Sequence, residues 1–291
     1  EGFVDNAVTS LDFSYKLPPI VCIFYDLIPL LQPDEYLNTN PEYSLFYKDK
    51  INQLKRFNLL LAISQSSKKE AIKNLFLDSQ KVINISSACD QLIFNSTKEI
   101  YLSDHFNLNQ LGDFILYTGA GDPRKNLKRL IHAYAKLDSK LLEKHKLVIA
   151  GKMIPAEKDL IYRWIDDISL SRDCVIFLGY VSDNDLCGLY QNCYLFVFPS
   201  LHEGFGLPVL EALNCGAAVI GSNVTSIPEV INRPDSLFDP LNIQSISDLI
   251  TKCLTNREFY LELKQTSLDR ASKFSWDLSA ELANQALQEQ A

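Results

Sequence analysis

Short apolar runs recur along the chain, separated by stretches with helical spacing. Ile20 to Phe24 (IVCIF), Leu59 to Ile63 and Val82 to Ile85 are three such runs. None shows the polar alternation of a half-exposed strand, so each reads as a buried parallel strand. Between them, 41–57 carries Leu45, Ile51 and Leu54 at helical positions, and 64–76 reads as a helix with Ser66 or Ser67 near its cap and Glu70 in its first turn. Residues 95–112 are polar and aperiodic, which marks the expected hinge. A second series follows, with strands expected near 114–118, 147–151, 174–178, 194–198 and 217–221, and 236–238 as a further candidate. Helices lie between them, and the tail 245–290 reads as helical. Alternation of this kind implies parallel sheets with helices on both faces. The expected domains are 1–112, a partial Rossmann-like unit with the hinge, and 113–291, a complete one.

The most informative stretch is Phe198 to Glu211, FPSLHEGFGLPVLE. An apolar strand leads into a loop with Gly204 and Gly206, and Pro208 stands where a helix should begin. A strand, a Gly-containing loop and a helix point free backbone N–H groups at an anion. Glu203 and Glu211, eight positions apart, flank that place. Carboxylates repel a phosphate but accept hydrogen bonds from sugar hydroxyls, so the arrangement fits a sugar nucleotide. A second turn of the same kind, GAGDPRKN from Gly119 to Asn126, brings Arg124 and Lys125 to another helix start. In an open α/β sheet such turns gather at the carboxyl edge of the strands, where two of them can converge on one diphosphate. Cations there stabilise the charge that grows on a departing diphosphate. GAGDPR lacks the third Gly of a dinucleotide fingerprint and a ribose-binding acid at the expected distance, which argues against a nicotinamide oxidoreductase.

EGFGLPVLE resembles the Glu-x7-Glu signature of retaining glycosyltransferases of the GT-B fold, family 4. YTGAGDPRKNLKRLIHAY, FLGYVSDNDLCGLY, VIGSNVTSIPEV, FSWD, YDLIPL and AISQSSKKEAI resemble the same family in its order, so the resemblance covers nearly the whole chain. It implies an α/β, GT-B fold with two Rossmann-like domains facing a cleft. The N-terminal domain is expected to be truncated, because Glu1-Gly2-Phe3 reads like the middle of a domain.

The activity implied is transfer of a hexose from a nucleoside-diphosphate sugar (GDP- or UDP-hexose) to a hydroxyl of a glycan or lipid-linked acceptor, in polysaccharide or lipopolysaccharide assembly. Retention of configuration, a front-face mechanism, no metal and no cofactor go with it. The resemblance assigns catalysis to Glu203, which holds donor-sugar hydroxyls, and to Lys125 and Arg124 at the diphosphate. It assigns donor binding to Gly204, Phe205, Gly206, Leu207, Glu211 (at the ribose) and Gly119. Tyr25, Asp26, Ser64 and Thr225 are candidates for the cleft. Tyr25 stands where relatives commonly carry His; Asp26 serves equally as a cap, Ser64 as the start of a helix, and Thr225 in a turn. The alternatives are a non-catalytic nucleotide-sugar-binding or assembly subunit and a GT-B-fold sugar-nucleotide epimerase.

Composition narrows this further. A net charge of −8 gives no nucleic-acid footprint. Seven scattered cysteines without Cys-x2-Cys spacing read as free thiols of a reducing cytosol. No segment approaches the ~20 apolar residues of a membrane span. Lys48, Lys50, Lys55, Arg56, Lys68 and Lys69 place local positive charge in the first half, either solvated helix faces or a peripheral contact with the inner face of the membrane. Asp183-Asn184-Asp185 has the Asp-x-Asp form of a metal site, but Ser182 before it reads as a helix cap with an acidic first turn. The four histidines show no ligand spacing.

Overall fold

The computed structural model describes residues 19–97, 111–119 and 121–289. Packing divides the chain into two compact units, one up to Ser86 joined by the stretch from Glu281, the other Ser87–Ala280.

The first unit is built on three parallel strands in the order β1 (Val21–Phe24), β2 (Leu59–Ala62), β3 (Val82–Asn84). Successive side chains of a strand point to opposite faces, and here both faces are covered. Phe24, Leu60 and Ala62 pack with Ala71 and Leu75 of the helix Gln65–Leu75, with Ile51 and Leu54 of the helix Pro41–Leu54 against them. Leu59 and Leu61 face the other way, onto Leu282, Ala283 and Ala286 of the helix Trp276–Gln288. The last helix of the chain thus closes the first sheet.

The second unit holds six parallel strands: β4 (Phe114–Thr118), β5 (Lys146–Ala150), β6 (Val175–Gly179), β7 (Leu195–Phe198), β8 (Val219–Ser222) and β9 (Leu237–Phe238). Their order is β6-β5-β4-β7-β8-β9. The chain starts in the middle, winds outward to β6, then returns to the other side of β4. Leu116 of β4 pairs with Val148 of β5 on one side and Phe196 of β7 on the other. Ile115, Tyr117, Leu147, Ile149, Leu195 and Val197 share one core with the helices Leu127–Tyr134, Pro155–Asp167 and Ile243–Thr255. On the opposite face, Phe196 meets Tyr190 of the helix Asp183–Asn192 edge-on at 5.1 Å. The reversal between β4 and β7 is the topological switch point of a doubly wound sheet, and a crevice opens there at the carboxyl ends of the strands.

The expected strands all form, with ends shifted by a residue or two. Three expectations change. The tail is not one helical stretch: Asn256 accepts from the Phe259 amide at 3.0 Å and starts a new helix, Arg257–Ala271, and another begins at Trp276. Ser64, rather than Ser66 or Ser67, caps the helix Gln65–Leu75, its hydroxyl accepting from the Ser67 amide at 2.9 Å. The units divide at Ser86/Ser87 instead of 112/113. The reason is that the segment after Ser86 is anchored to the second unit: Phe94 packs on Tyr190 at 6.1 Å, and Gln191 Nε2 donates to the Asn95 carbonyl at 2.7 Å. Of the expected hinge, 98–110 lie outside the described residues. Among the described residues, no helix is long and apolar enough to cross a membrane.

Asn126 holds the switch point together. It is buried, takes the left-handed conformation (φ 60°) that Asn tolerates, and follows the turn after β4. Its amide nitrogen donates to the Pro199 carbonyl at 3.0 Å, past β7, and to the Pro240 carbonyl at 2.8 Å, past β9. Its oxygen accepts from Arg129 Nη1 at 2.9 Å. Asn126→Ala should therefore cost about 2–4 kcal/mol in urea denaturation, since two carbonyls lose their donor inside the protein. A loss well under ~1 kcal/mol would mean that water replaces the amide.

Candidate functional site

Two turns leave the carboxyl ends of β4 and β7. In the first, Asp122 Oδ1 accepts from the Arg124 amide at 2.8 Å and shapes the 3-10 turn Pro123–Lys125, which presents Arg124 and Lys125 just before the helix Leu127–Tyr134. The second, from Pro199, closes at Gly206, the N-cap of the helix Leu207–Asn214. Gly206 has φ +100°, and a β-carbon there would stand 2.6 Å from Ile227 Cδ1. Only glycine satisfies both demands.

The turns are tied to each other. The Leu201 amide donates to the Arg124 carbonyl at 2.8 Å, and Arg124 Nη1 donates to the His202 carbonyl at 2.7 Å. Glu203 lies at the centre, only 8% exposed. Its Oε1 accepts from Lys125 Nζ at 2.7 Å and from Ser200 Oγ at 2.5 Å, and its Oε2 stands 2.9 Å from Arg124 Nη1. Its backbone is held as well: its amide donates to Thr225 Oγ1 at 3.1 Å, and its carbonyl accepts from Ser226 Oγ at 2.9 Å. Lys125 also lies over the Phe198 ring, 5.2 Å from its centroid.

Glu211 sits on the helix that follows. The Tyr190 hydroxyl donates to its Oε2 at 3.2 Å, and Thr118 Oγ1, at the end of β4, is 3.5 Å from the same phenol. Burial pushes the Glu211 carboxyl up to about 7; the Tyr190 hydrogen bond opposes the rise, Asp183 adds to it, and Lys125 opposes it. Lys125, at the end of the first turn, and Asp183, at the start of the helix Asp183–Asn192, thus both act on this carboxyl. The site therefore combines two cations, an ion-paired carboxylate and a carboxyl poised near neutrality.

The structure brings Arg124, Lys125, Glu203, Thr225, Gly204, Gly206 and Glu211 into this region. Gly119 leads the first turn, its amide donating to the Ala150 carbonyl at 2.9 Å. Phe205 points inward, edge-on to Phe274 at 5.7 Å, so its side chain anchors the loop. Leu207 is the exposed first residue of its helix. Tyr25, Asp26 and Ser64 belong to the first unit. Tyr25 is exposed, Asp26 Oδ1 accepts from the Ile28 amide at 3.0 Å, and Ser64 is the helix cap described above. Ser182 accepts from the Asp185 amide at 3.2 Å and donates to Asp185 Oδ2 at 2.6 Å, the capping role expected of that segment.

Tyr190 and Ser200 were not singled out from the sequence, whereas Ser226 reads there, beside Thr225, as turn and cap chemistry at a helix start. Tyr190 sits in an apolar helical period and reads as core, which gave no signal. Ser200 could have been found, being a polar residue at the end of a buried strand within the most informative motif.

The sequence profile of glycosyl transferases group 1 matches residues 102–270. Over 97% of its length the chain is 42% identical to the serotype-specific mannosyltransferase WbdA of Escherichia coli, and it spans 35% of that protein. It is 29% identical to O-antigen chain mannosyltransferase B of the same species, over 90% of this chain and 68% of that one. Among solved structures, Anabaena Alr3699/HepE in complex with UDP and glucose aligns with a TM-score of 0.74 at 21% identity, covering 93% of this chain and 72% of that one. Sucrose-phosphate synthase from Thermosynechococcus elongatus aligns with a TM-score of 0.74 at 20% identity, over 92% and 67%. These two likenesses speak for the fold, which is the α/β GT-B class expected from the sequence.

The Glu211 environment has a measurable consequence. Between its ordinary value of 4.5 and about 7, the folded chain keeps a proton that the unfolded chain releases. Its contribution to stability therefore falls as pH rises through that window and is flat above it. Glu211→Gln should abolish this slope, so that wild type loses about 2–3 kcal/mol relative to the variant between about pH 4.5 and 7, at ~1.4 kcal/mol per unit. Urea denaturation of both proteins across that range reads the difference; a gap independent of pH would show that Glu211 titrates as an ordinary carboxyl.

Proposed function

The chain belongs to the glycosyl transferases group 1, and from that premise we propose that it moves a hexose from a nucleoside-diphosphate sugar to a hydroxyl of a glycan acceptor, with retention of configuration. The observation that carries this reading is the convergence of Lys125 and Arg124 on Glu203, at 2.7 and 2.9 Å from its carboxylate oxygens, at the switch point beside the helix start at Gly206. The names of the relatives favour mannose as the sugar and O-antigen-type polysaccharide as the product. HepE, solved with UDP, favours a nucleoside diphosphate as the carrier.

On this reading the diphosphate takes its place against Lys125, Arg124 and the amides around Gly206, where an anion gains from a helix N-terminus. As the bond from sugar to phosphate breaks, negative charge grows on the departing diphosphate, and prepositioned cations stabilise it without reorganisation. Arg124 is braced by Asp122, His202 and Glu203, so it acts as a fixed wall. Lys125, held by Glu203 and Phe198, is a point charge on a flexible stem and follows the phosphate more easily. Glu203 shares its cations with the diphosphate and accepts hydroxyl groups of the donor sugar. Glu211, with Tyr190 on one oxygen, offers the other to the ribose. The acceptor hydroxyl attacks from the face that the diphosphate leaves, and its proton passes to a diphosphate oxygen. The two cations supply the charge stabilisation that a divalent metal would otherwise give, so no metal and no cofactor are required. Seven free cysteines fit a cytoplasmic location.

Calorimetry with UDP and GDP tests the assignments. Lys125→Ala should weaken nucleotide binding by about 1–3 kcal/mol, the scale of a lost charge-assisted hydrogen bond. Glu203→Gln releases the cations and should leave the bare nucleotide bound while sugar transfer fails. Glu211→Gln should weaken the nucleotide itself. Equal loss of nucleotide binding in both Glu variants would refute the separate roles.

Metal independence has its own check. Sugar transfer should persist in excess EDTA, because Ser182 holds Asp185 as a helix cap. Loss of activity on chelation, restored by magnesium or manganese, would assign Asp183 and Asp185 to a metal.

A further inference from the structure

We propose that the cavity between the starts of the helices Leu127–Tyr134 and Pro155–Asp167 holds one pyranose ring of a glycan chain, at a place separate from the cations of the donor site. The glycan class rests on the function proposed above; the cavity does not. It encloses about 260 Å³, below the ~300–1,000 Å³ usual for sites that take a drug-sized ligand. That suits one ring rather than a whole nucleotide.

Its lining selects the chemistry. Trp164 and Leu160 give apolar surface, while Asp122, Glu157, Lys128 and Arg129 give polar groups of both signs. A phosphate would meet two carboxylates and a cation would meet two basic side chains. A neutral polyhydroxylated ring meets acceptors and donors together, with an indole for its C–H face. Lys128 Nζ stands 5.6 Å from the Trp164 ring centre, so a hydrogen-bond donor accompanies the aromatic surface. Glu157 Oε2 is held by the Ile154 amide at 2.9 Å, which fixes the carboxylate and leaves Oε1 to accept a hydroxyl. Gly121 makes this possible, because a β-carbon at that position would collide with the Glu157 carboxylate. The cavity shares the β4 turn with Arg124 and Lys125: Asp122 lines it and also shapes the turn that presents them. A transferase that extends a glycan gains by holding the chain this close to the point of transfer.

Trp164 reports on the cavity directly. The chain has two tryptophans, so Trp276→Phe, at an exposed position, leaves Trp164 alone. Titration of this variant with mannotriose should give a saturable change in fluorescence that persists with UDP or GDP at saturation. Maltotriose, uridine and guanosine are run alongside. Calorimetry of the otherwise native chain should show mannotriose binding that Trp164→Ala abolishes and Lys128→Ala weakens about tenfold, the scale of one lost hydrogen bond to a charged group, both variants keeping nucleotide affinity. No mannotriose binding by calorimetry, displacement by nucleotide, or an equal response to uridine or guanosine would overturn the proposal; the last would make the cavity a nucleobase pocket. Nucleotide binding is measured separately, so failure of the glycan site and failure of the donor site are distinguishable.

Discussion

Two turns leave neighbouring parallel strands at β4 and β7, from which the strand order grows outward in opposite directions, and the Glu203 carboxylate is what ties them together. Topology alone opens a crevice there; it does not set the distance between its walls. Glu203 does, by accepting from Ser200 on its own turn and from Lys125 and Arg124 on the other. A carboxylate this buried carries a desolvation cost that is offset only when its oxygens are well partnered, and here each faces a cation. The backbone bond from Leu201 to Arg124 and the paired bonds of Asn126 repeat the same connection in neutral form.

The two carboxyl groups of the most informative motif show how environment divides one chemistry into two. Glu203 lies among cations and a hydroxyl. Glu211 lies against a buried phenol, with Lys125 acting only as a minor influence, and burial raises it to about 7. One group is therefore locked into ion pairs, and the other is held by a phenol and changes character near neutrality. Thr118 and Tyr190 link Glu211 back to β4, so both carboxyl groups are referenced to the same pair of strands.

What the sequence made legible follows from what its patterns encode. Buried parallel strands are short apolar runs, so the two strand series could be read from the chain. Turns that aim helix starts at an anion leave Gly, Pro and charged residues in order, so Arg124, Lys125, Glu203 and Glu211 could be read as well. Tyr190 could not, because a core aromatic and an aromatic that orients a carboxylate have the same helical spacing. The unit boundary was missed because a polar, aperiodic segment marks a loop, whereas a boundary is set by contacts such as Phe94 on Tyr190. The breaks in the tail were missed because Asn256 ends one helix and caps the next without disturbing the apolar period.

The helix Trp276–Gln288 gives the first unit a timetable. Its residues Leu282, Ala283 and Ala286 cover the face of β2 that carries Leu59 and Leu61, yet they are made after the whole second unit has been synthesised. On the ribosome, those three residues reach that face only after the second unit has emerged and can fold. The order of synthesis and the order of completion are thus reversed for the first unit, and a nascent chain stalled before Glu281 would be the species that depends most on a chaperone.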